Sequence, residues 1–160
     1  MEILVGIDGT QHGLAATRWA AREARTVDMP LTLLHVYSVP AVPSPAGPVR
    51  MPDQRQAAKR AADAVMRRAE HVAREELEGS SVSLSTEVLE GPPISTLLEM
   101  SSGARLLVLG AHSGAIFHHR LGSVVGTCLH KATCPVVVVP VEVVAGAGEQ
   151  LAGANAPSGT

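Results

Sequence analysis

Short apolar runs alternate along this chain with longer segments whose apolar residues recur every three or four positions. Glu2 to Ile7 is mostly apolar and closes on Asp8-Gly9-Thr10, which predicts a buried strand running into a turn. From Gly13 to Val27 the residues Ala16, Ala20, Ala24 and Val27 fall at spacings of four, four and three. They share one helical face, and alanines there let a helix approach a sheet closely. Met29-Pro30 ends that helix, and Leu31 to Tyr37 is a second apolar run rich in sheet-compatible residues. Pro40, Pro43, Pro45, Pro48 and Pro52 then interrupt the stretch from Ser38 to Pro52, for which an extended loop without regular hydrogen bonding is expected.

Asp53 or a neighbour is expected to cap a long helix reaching about Glu78, with Ala58, Ala62, Val65, Ala69 and Val72 as its apolar stripe. Val82 to Leu89 alternates apolar with polar residues and suits a sheet edge. Gly91-Pro92-Pro93 opens a shorter helix whose Ile94, Leu97 and Leu98 point one way, because a proline in the first turn sacrifices no helical hydrogen bond. Arg105 to Gly110 is a continuous strand ending in glycine. The loop from Ala111 to Leu121 leads into a helix starting at Gly122 or Ser123, with Leu121, Val125, Cys128 and Ala132 at helical spacing, and Val136 to Val139 is the last strand. Five strands separated by four helices predict an α/β fold with an open, mainly parallel sheet, helices on both faces and right-handed crossovers. Residues 1–144 read as one domain, and 145–160, without periodicity, as a flexible tail.

Composition narrows the function classes. The chain has 160 residues, 46% hydrophobic and 18% charged, which suits one globular domain. Its aromatic residues are Trp19, Tyr37 and Phe117, so the core is built from Ala, Val, Leu and Ile, and stacking platforms for single-stranded nucleic acid are scarce. A net charge of -2 without a basic block leaves no footprint for a phosphate backbone, so nucleic acid is not an expected partner. Met1-Glu2-Ile3-Leu4 has neither a basic flank nor a long apolar run, which argues against a secretory signal or membrane span and predicts a cytoplasmic location. Cys128 and Cys134 are expected as buried or semi-buried thiols, not a bridge.

Candidate chemistry gathers at strand ends, where parallel sheets place their ligands. Asp8 follows the first strand directly. Its carboxylate is placed to meet a ribose hydroxyl or a phosphate-bound Mg²⁺, or else to cap the first helix or hold the turn; the two readings are compatible. Gly110, Gly114, Gly122 and Ser123 form a second group, a glycine-containing loop leading to a helix N-terminus whose N–H groups suit phosphate oxygens; the plain alternative is a loop ending in a serine cap. The phosphate loop of NTPases and the dinucleotide fingerprint are both absent. His112, His118 and His119 lack a cysteine or carboxylate nearby to complete a metal shell, so no protein-caged metal is expected. His12, His35, His71 and His130 read as packed or solvated. No nucleophile elbow or clear general base is present, and efficient turnover is not expected.

Val5-Gly6-Ile7-Asp8-Gly9-Thr10, Arg18-Trp19-Ala20 within Ala15 to Ala24, Gly91 with Pro93, and Val108-Leu109-Gly110 through Gly122-Ser123-Val124 to Cys134-Pro135 and the valines before Pro140 together resemble the universal stress protein family, in its single-domain actinobacterial form. The resemblance covers roughly residues 1–140. It implies strand order 3-2-1-4-5, dimerisation and, in one branch, ATP binding with Mg²⁺ between strands one and four. Carried over, Asp8 is the acidic residue after strand one, the backbone around Val36 meets adenine, Gly110 opens the phosphate loop, and Gly122, Ser123 and Val124 close it. ATP-binding members resemble Gly-x2-Gly-x9-Gly-Ser/Thr; here Ser113 stands at the second glycine, Gly114 follows it, and the interval to Gly122 is one residue shorter. His112 or Arg120 supplies cationic contacts in that reading. The implied function is a stress-response or signalling protein that binds ATP without efficient turnover; the alternative is a nucleotide-free dimeric interaction or regulatory protein of the same fold. Four consecutive valines at Val136 to Val139 are too apolar for a bare edge, which predicts a homodimer paired through that strand.

Overall fold

In the computed structural model, which describes residues 1–111 and 122–141, the five apolar runs form one parallel sheet. Its strands are β1 (Ile3–Ile7), β2 (Leu31–Tyr37), β3 (Leu84–Glu90), β4 (Leu106–Gly110) and β5 (Val136–Val139), in the order β3-β2-β1-β4-β5. Four helices connect them: α1 (Gln11–Val27), α2 (Pro52–Glu76), α3 (Pro93–Ser101) and α4 (Ser123–Lys131). This is the expected α/β order. The 145–160 tail lies outside the described residues.

Both faces of the sheet are buried, which explains why its central strands are continuously apolar instead of alternating. Successive side chains point to opposite faces. Ile3, Val5, Ile7, Leu31 and Leu33 therefore meet α1 and α2 on one side, where Ala16, Ala20, Ala24, Met66, Ala69 and Ala73 complete the cluster. Leu4, Leu34, Leu107 and Leu109 meet Leu97 of α3 and Val125 and Cys128 of α4 on the other. Thr17 is fully buried yet satisfied, its hydroxyl donating to the Gly13 carbonyl at 2.8 Å. Cys128 is buried and Cys134 half-buried, both free thiols; burial, then the neighbouring Cys134, pushes the Cys128 thiol up.

β3 is an edge strand, and Ser85, Thr86 and Glu87 are exposed along it. Other local expectations change. The N-cap of α2 is Met51 without a side-chain cap, Pro52 is the first helical residue, and Asp53 sits in the first turn, where its charge complements the helix dipole. The buried stripe of α2 includes Met66 and Ala73, while Ala58 is only half-buried. The proline-rich loop does carry regular hydrogen bonds. Val42 and Val49 pair antiparallel, each N–H donating to the other's carbonyl at 2.8 and 2.9 Å, around a turn at Ser44 to Gly47. The prolines at 43, 45 and 48 fall where no N–H is required.

Arg22 of α1 grips Glu76 at the end of α2 with two bonds of 2.9 and 3.0 Å, and Arg25 donates to the Glu76 carbonyl at 2.8 Å. The Arg22 hydrogen bond, opposed by partial burial, holds the Glu76 carboxyl below its ordinary value. Because the pair is largely solvated, Arg22→Ala is expected to cost only about 0.5 kcal/mol at neutral pH. A carboxylate with a depressed folded-state pKa contributes stability above its unfolded value and loses it as pH falls through the folded one. Urea denaturation of both proteins should therefore converge on acidification; a difference independent of pH would assign the loss to packing of the arginine stem.

Candidate functional site

The strand order reverses between β1 and β4: the chain leaves β1 towards β2 and later returns to β1's other side. Such a point opens a crevice beyond the carboxyl ends of the strands. Here it holds a cavity of about 410 Å³, whose walls come from the ends of β1, β2 and β4 and the starts of α3 and α4. Its floor is aliphatic, formed by Leu34, Leu97, Leu109 and Val125. Gly6 is part of that floor. A Cβ there would lie 2.6 Å from Leu109 Cδ2 and 3.1 Å from Leu97 Cδ2, so its lack of a side chain lets these leucines close over β1.

The rim is polar and tightly arranged. After β1 the chain turns through Gly9, whose φ of +81° suits glycine. Asp8 Oδ1 accepts from the Thr10 N–H at 2.9 Å and from the Thr10 hydroxyl at 2.6 Å. That hydroxyl oxygen in turn accepts from the Gly13 N–H at 3.2 Å, so Thr10 caps α1 and Asp8 braces the cap. Gly13 is required beneath it, since a Cβ would lie 2.6 Å from Asp8 Oδ1. Gly110 meets α1 directly: a Cβ there would stand 2.4 Å from the His12 backbone carbon and oxygen and 2.8 Å from the Gly13 nitrogen.

α4 enters the cavity by its N-terminus. Gly122 is the N-cap and Ser123 the first helical residue, and among the described residues no side chain caps the turn. This corrects the serine-cap expectation. The first-turn N–H groups have no partner within the helix and lie at the positive end of its dipole, facing the cavity side where Gly122, Ser123 and Val124 form the wall. Among the described residues nothing lies within 4 Å of the position a Gly122 Cβ would take. Among the described lining residues Asp8 is the one carboxylate, and none is Lys or Arg.

Asp8, Val36, Gly110, Gly122, Ser123 and Val124, predicted from separate stretches of sequence, line this one cavity. His112, Gly114 and Arg120 lie outside the described residues. Gly6, Leu34, His35, Pro93, Leu97, Leu109 and Val125 also line it without having been singled out for a site. Their signal was present only in part: Leu34, Leu109 and Gly6 adjoin predicted strand ends, whereas the role of Leu97 depends on where α3 packs. Among the described residues, no three His, Cys, Asp or Glu side chains are grouped to hold a metal ion. A smaller cavity of about 270 Å³ lies at the opposite, amino end of the sheet, between Ile3, Glu23, Val27, Arg105 and Pro135.

Comparison with known proteins bears on this site. Residues 1–140 match the family model for the universal stress protein family. A universal stress protein of Mycolicibacterium smegmatis is 37% identical over 139 residues, which are 86% of this chain and 47% of that protein. The chain thus spans about half the length of the curated relatives it matches. Among solved structures, a universal stress protein in complex with cAMP superposes with a TM-score of 0.64 at 22% identity, covering 88% of this chain and 96% of that one. A universal stress protein family protein from Arabidopsis thaliana with AMP bound gives a TM-score of 0.61 at 20% identity, over 88% of this chain and 91% of that one. At these identities the two structures show the fold.

Gly110 and Gly122, both lining the cavity, should respond differently to a methyl group. Gly110→Ala forces backbone against backbone and is expected to cost about 1–3 kcal/mol or more. Gly122→Ala meets none of the described residues and should cost less than about 1 kcal/mol. Chemical denaturation checks both; equal costs would contradict the α1 contact at Gly110.

Proposed function

The chain belongs to the universal stress protein family, and we propose that it binds an adenine nucleotide, ATP together with Mg²⁺, between β1 and β4 as a stress-response or signalling protein without efficient turnover. The observation that carries this is the composition of one cavity: an aliphatic floor, the Asp8 carboxylate at the rim and the uncapped N-terminus of α4 in the wall. A flat base needs the first, ribose hydroxyls the second and phosphate oxygens the third. The cAMP and AMP bound to the two fold neighbours support the same class of ligand.

In this reading the backbone around Val36 meets the adenine, Asp8 accepts from the ribose or holds Mg²⁺ through its bound water, and the first-turn N–H groups of Ser123 and Val124 donate to phosphate. Gly110 brings the strand end against α1, and Gly122 lets the phosphates approach without a side chain in the way. His112 or Arg120 supplies the cationic contact in this reading. Mg²⁺ would supply countercharge to the phosphates. Asp8 Oδ1 is already engaged by Thr10, which suits a holding role better than proton abstraction. No helix among the described residues is long and apolar enough to cross a membrane, and we place the protein in the cytoplasm.

A second copy of the chain is the proposed partner. β5 ends the sheet, so the outer N–H and C=O groups of Val136 to Val139 face no neighbouring strand among the described residues. Val136, Val137 and Val138 are half-buried, and pairing two such edges about a two-fold axis would cover them.

Calorimetric titration with ATP and Mg²⁺ should give saturable heat, reduced on joint replacement of Gly122 and Ser123. Asp8→Ala should weaken binding by about 1–3 kcal/mol with the fold retained by circular dichroism. No heat at millimolar ATP would favour the nucleotide-free interaction protein. In sedimentation the protein should exceed its monomer mass of 16.6 kDa by a factor of two, and Val138→Lys should dissociate it. A 16.6 kDa species at micromolar concentration would remove the dimer, and a dimer insensitive to Val138→Lys would move the interface elsewhere.

A further inference from the structure

The peptide that joins Ile7 to Asp8 lies where β1 outruns one of its neighbours. Pairing with β4 ends at Gly6 opposite Leu109, whereas pairing with β2 continues to Ile7 opposite His35. There the Ile7 carbonyl is met by a side chain: His35 Nδ1 lies 2.6 Å from it. A carbonyl only accepts, so Nδ1 carries the hydrogen, and Nε2 is the lone-pair nitrogen of the neutral ring. The setting makes this histidine unusual for its strand, Leu31-Thr32-Leu33-Leu34-His35-Val36-Tyr37, where every neighbour but Thr32 is apolar or aromatic. A half-buried polar ring in such a strand needs a partner, and it finds one at the residue preceding Asp8.

We propose that His35 is a positioning residue for Asp8, an inference that rests on the nucleotide reading above. Asp8 is fixed from two directions. Thr10 donates twice to its Oδ1, over a Gly13 that leaves room for that oxygen. The His35 ring holds the peptide that enters Asp8, and so sets where the carboxylate stands at the mouth of a cavity that both residues line. Without this donor the Ile7 carbonyl keeps its ladder pairing with β2 but loses the side-chain hydrogen bond that adds to it at the end of the strand, and the Asp8 backbone gains freedom that ligand binding must remove. The role depends on the position of one N–H, which separates it from packing. Asn places its amide nitrogen where Nδ1 stands in histidine, whereas the longer Gln places its own at the Nε2 position.

The test uses the full chain in calorimetric titrations with ATP and Mg²⁺ and with AMP alone, for the wild type, His35→Leu, His35→Asn and His35→Gln, with folding followed by thermal melts. His35→Leu should weaken binding of both ligands about three- to tenfold, His35→Asn should restore it to within about twofold, and His35→Gln should not. Nitrogen-15 spectra of the wild-type imidazoles should show His35, identified by its absence from His35→Asn, as the Nδ1–H tautomer. Wild-type binding that His35→Leu leaves unchanged, or equal restoration by Asn and Gln, overturns the positioning role. An Nε2–H tautomer overturns the hydrogen bond itself. Should His35→Leu fail to fold, the contrast between Asn and Gln decides. A wild type that binds neither ligand overturns the nucleotide reading and the positioning role with it, while the tautomer still reports on the bond to Ile7.

Discussion

Burial of both faces of a parallel sheet is the constraint from which the rest of this protein follows. Once α1 and α2 cover one face and α3 and α4 the other, unpaired backbone and polar side chains are driven to the rims of the strands. The carboxyl rim receives the N-termini of all four helices, each of which follows a strand. At the order reversal beside β1 these ends stand apart, and the gap is the cavity. Asp8 and the first turn of α4 face a common space because the sheet cannot close there.

Small residues control how close the layers come. Ala16, Ala20 and Ala24 let α1 lie flat on the sheet, and Gly110 then meets the His12 backbone at a separation that excludes a Cβ. Gly13 and Gly6 perform related tasks, one beneath the Asp8 carboxylate and the other beneath Leu109. The geometry of the rim is therefore set from below by packing. Among the described residues β5 is left as an edge, the other consequence of a five-stranded open sheet, and the chain spans about half the length of the curated relatives it matches.

Much of this architecture was legible in the chain. Continuous apolar runs such as Leu31 to Tyr37 mark buried parallel strands with little ambiguity, and Asp8 and Gly122 could be named because each follows or precedes an element boundary. What could not be read depends on contacts between distant segments. Gly110 was expected to open a phosphate loop, yet its tightest constraint is a helix a hundred residues earlier in the chain. Asp53 and Ser123 have good capping chemistry, but the helices begin at Pro52 and Ser123 themselves, leaving Met51 and Gly122 as caps. The Val42 to Val49 pairing was hidden by prolines placed where no donor is needed. His35 reads as a packed histidine until the register shows that its ring reaches the Ile7 carbonyl.

The central claim is that ligand chemistry belongs to the carboxyl end of β1 and β4, and amide NMR during titration with ATP and Mg²⁺ tests it most directly. Shifts should cluster at Gly6, Asp8, Val36, Gly110 and Ser123 to Val125, the residues around the larger cavity. Shifts centred instead on Glu23, Val27 and Arg105, around the cavity at the amino end, or a spectrum unmoved by millimolar nucleotide, would contradict the account.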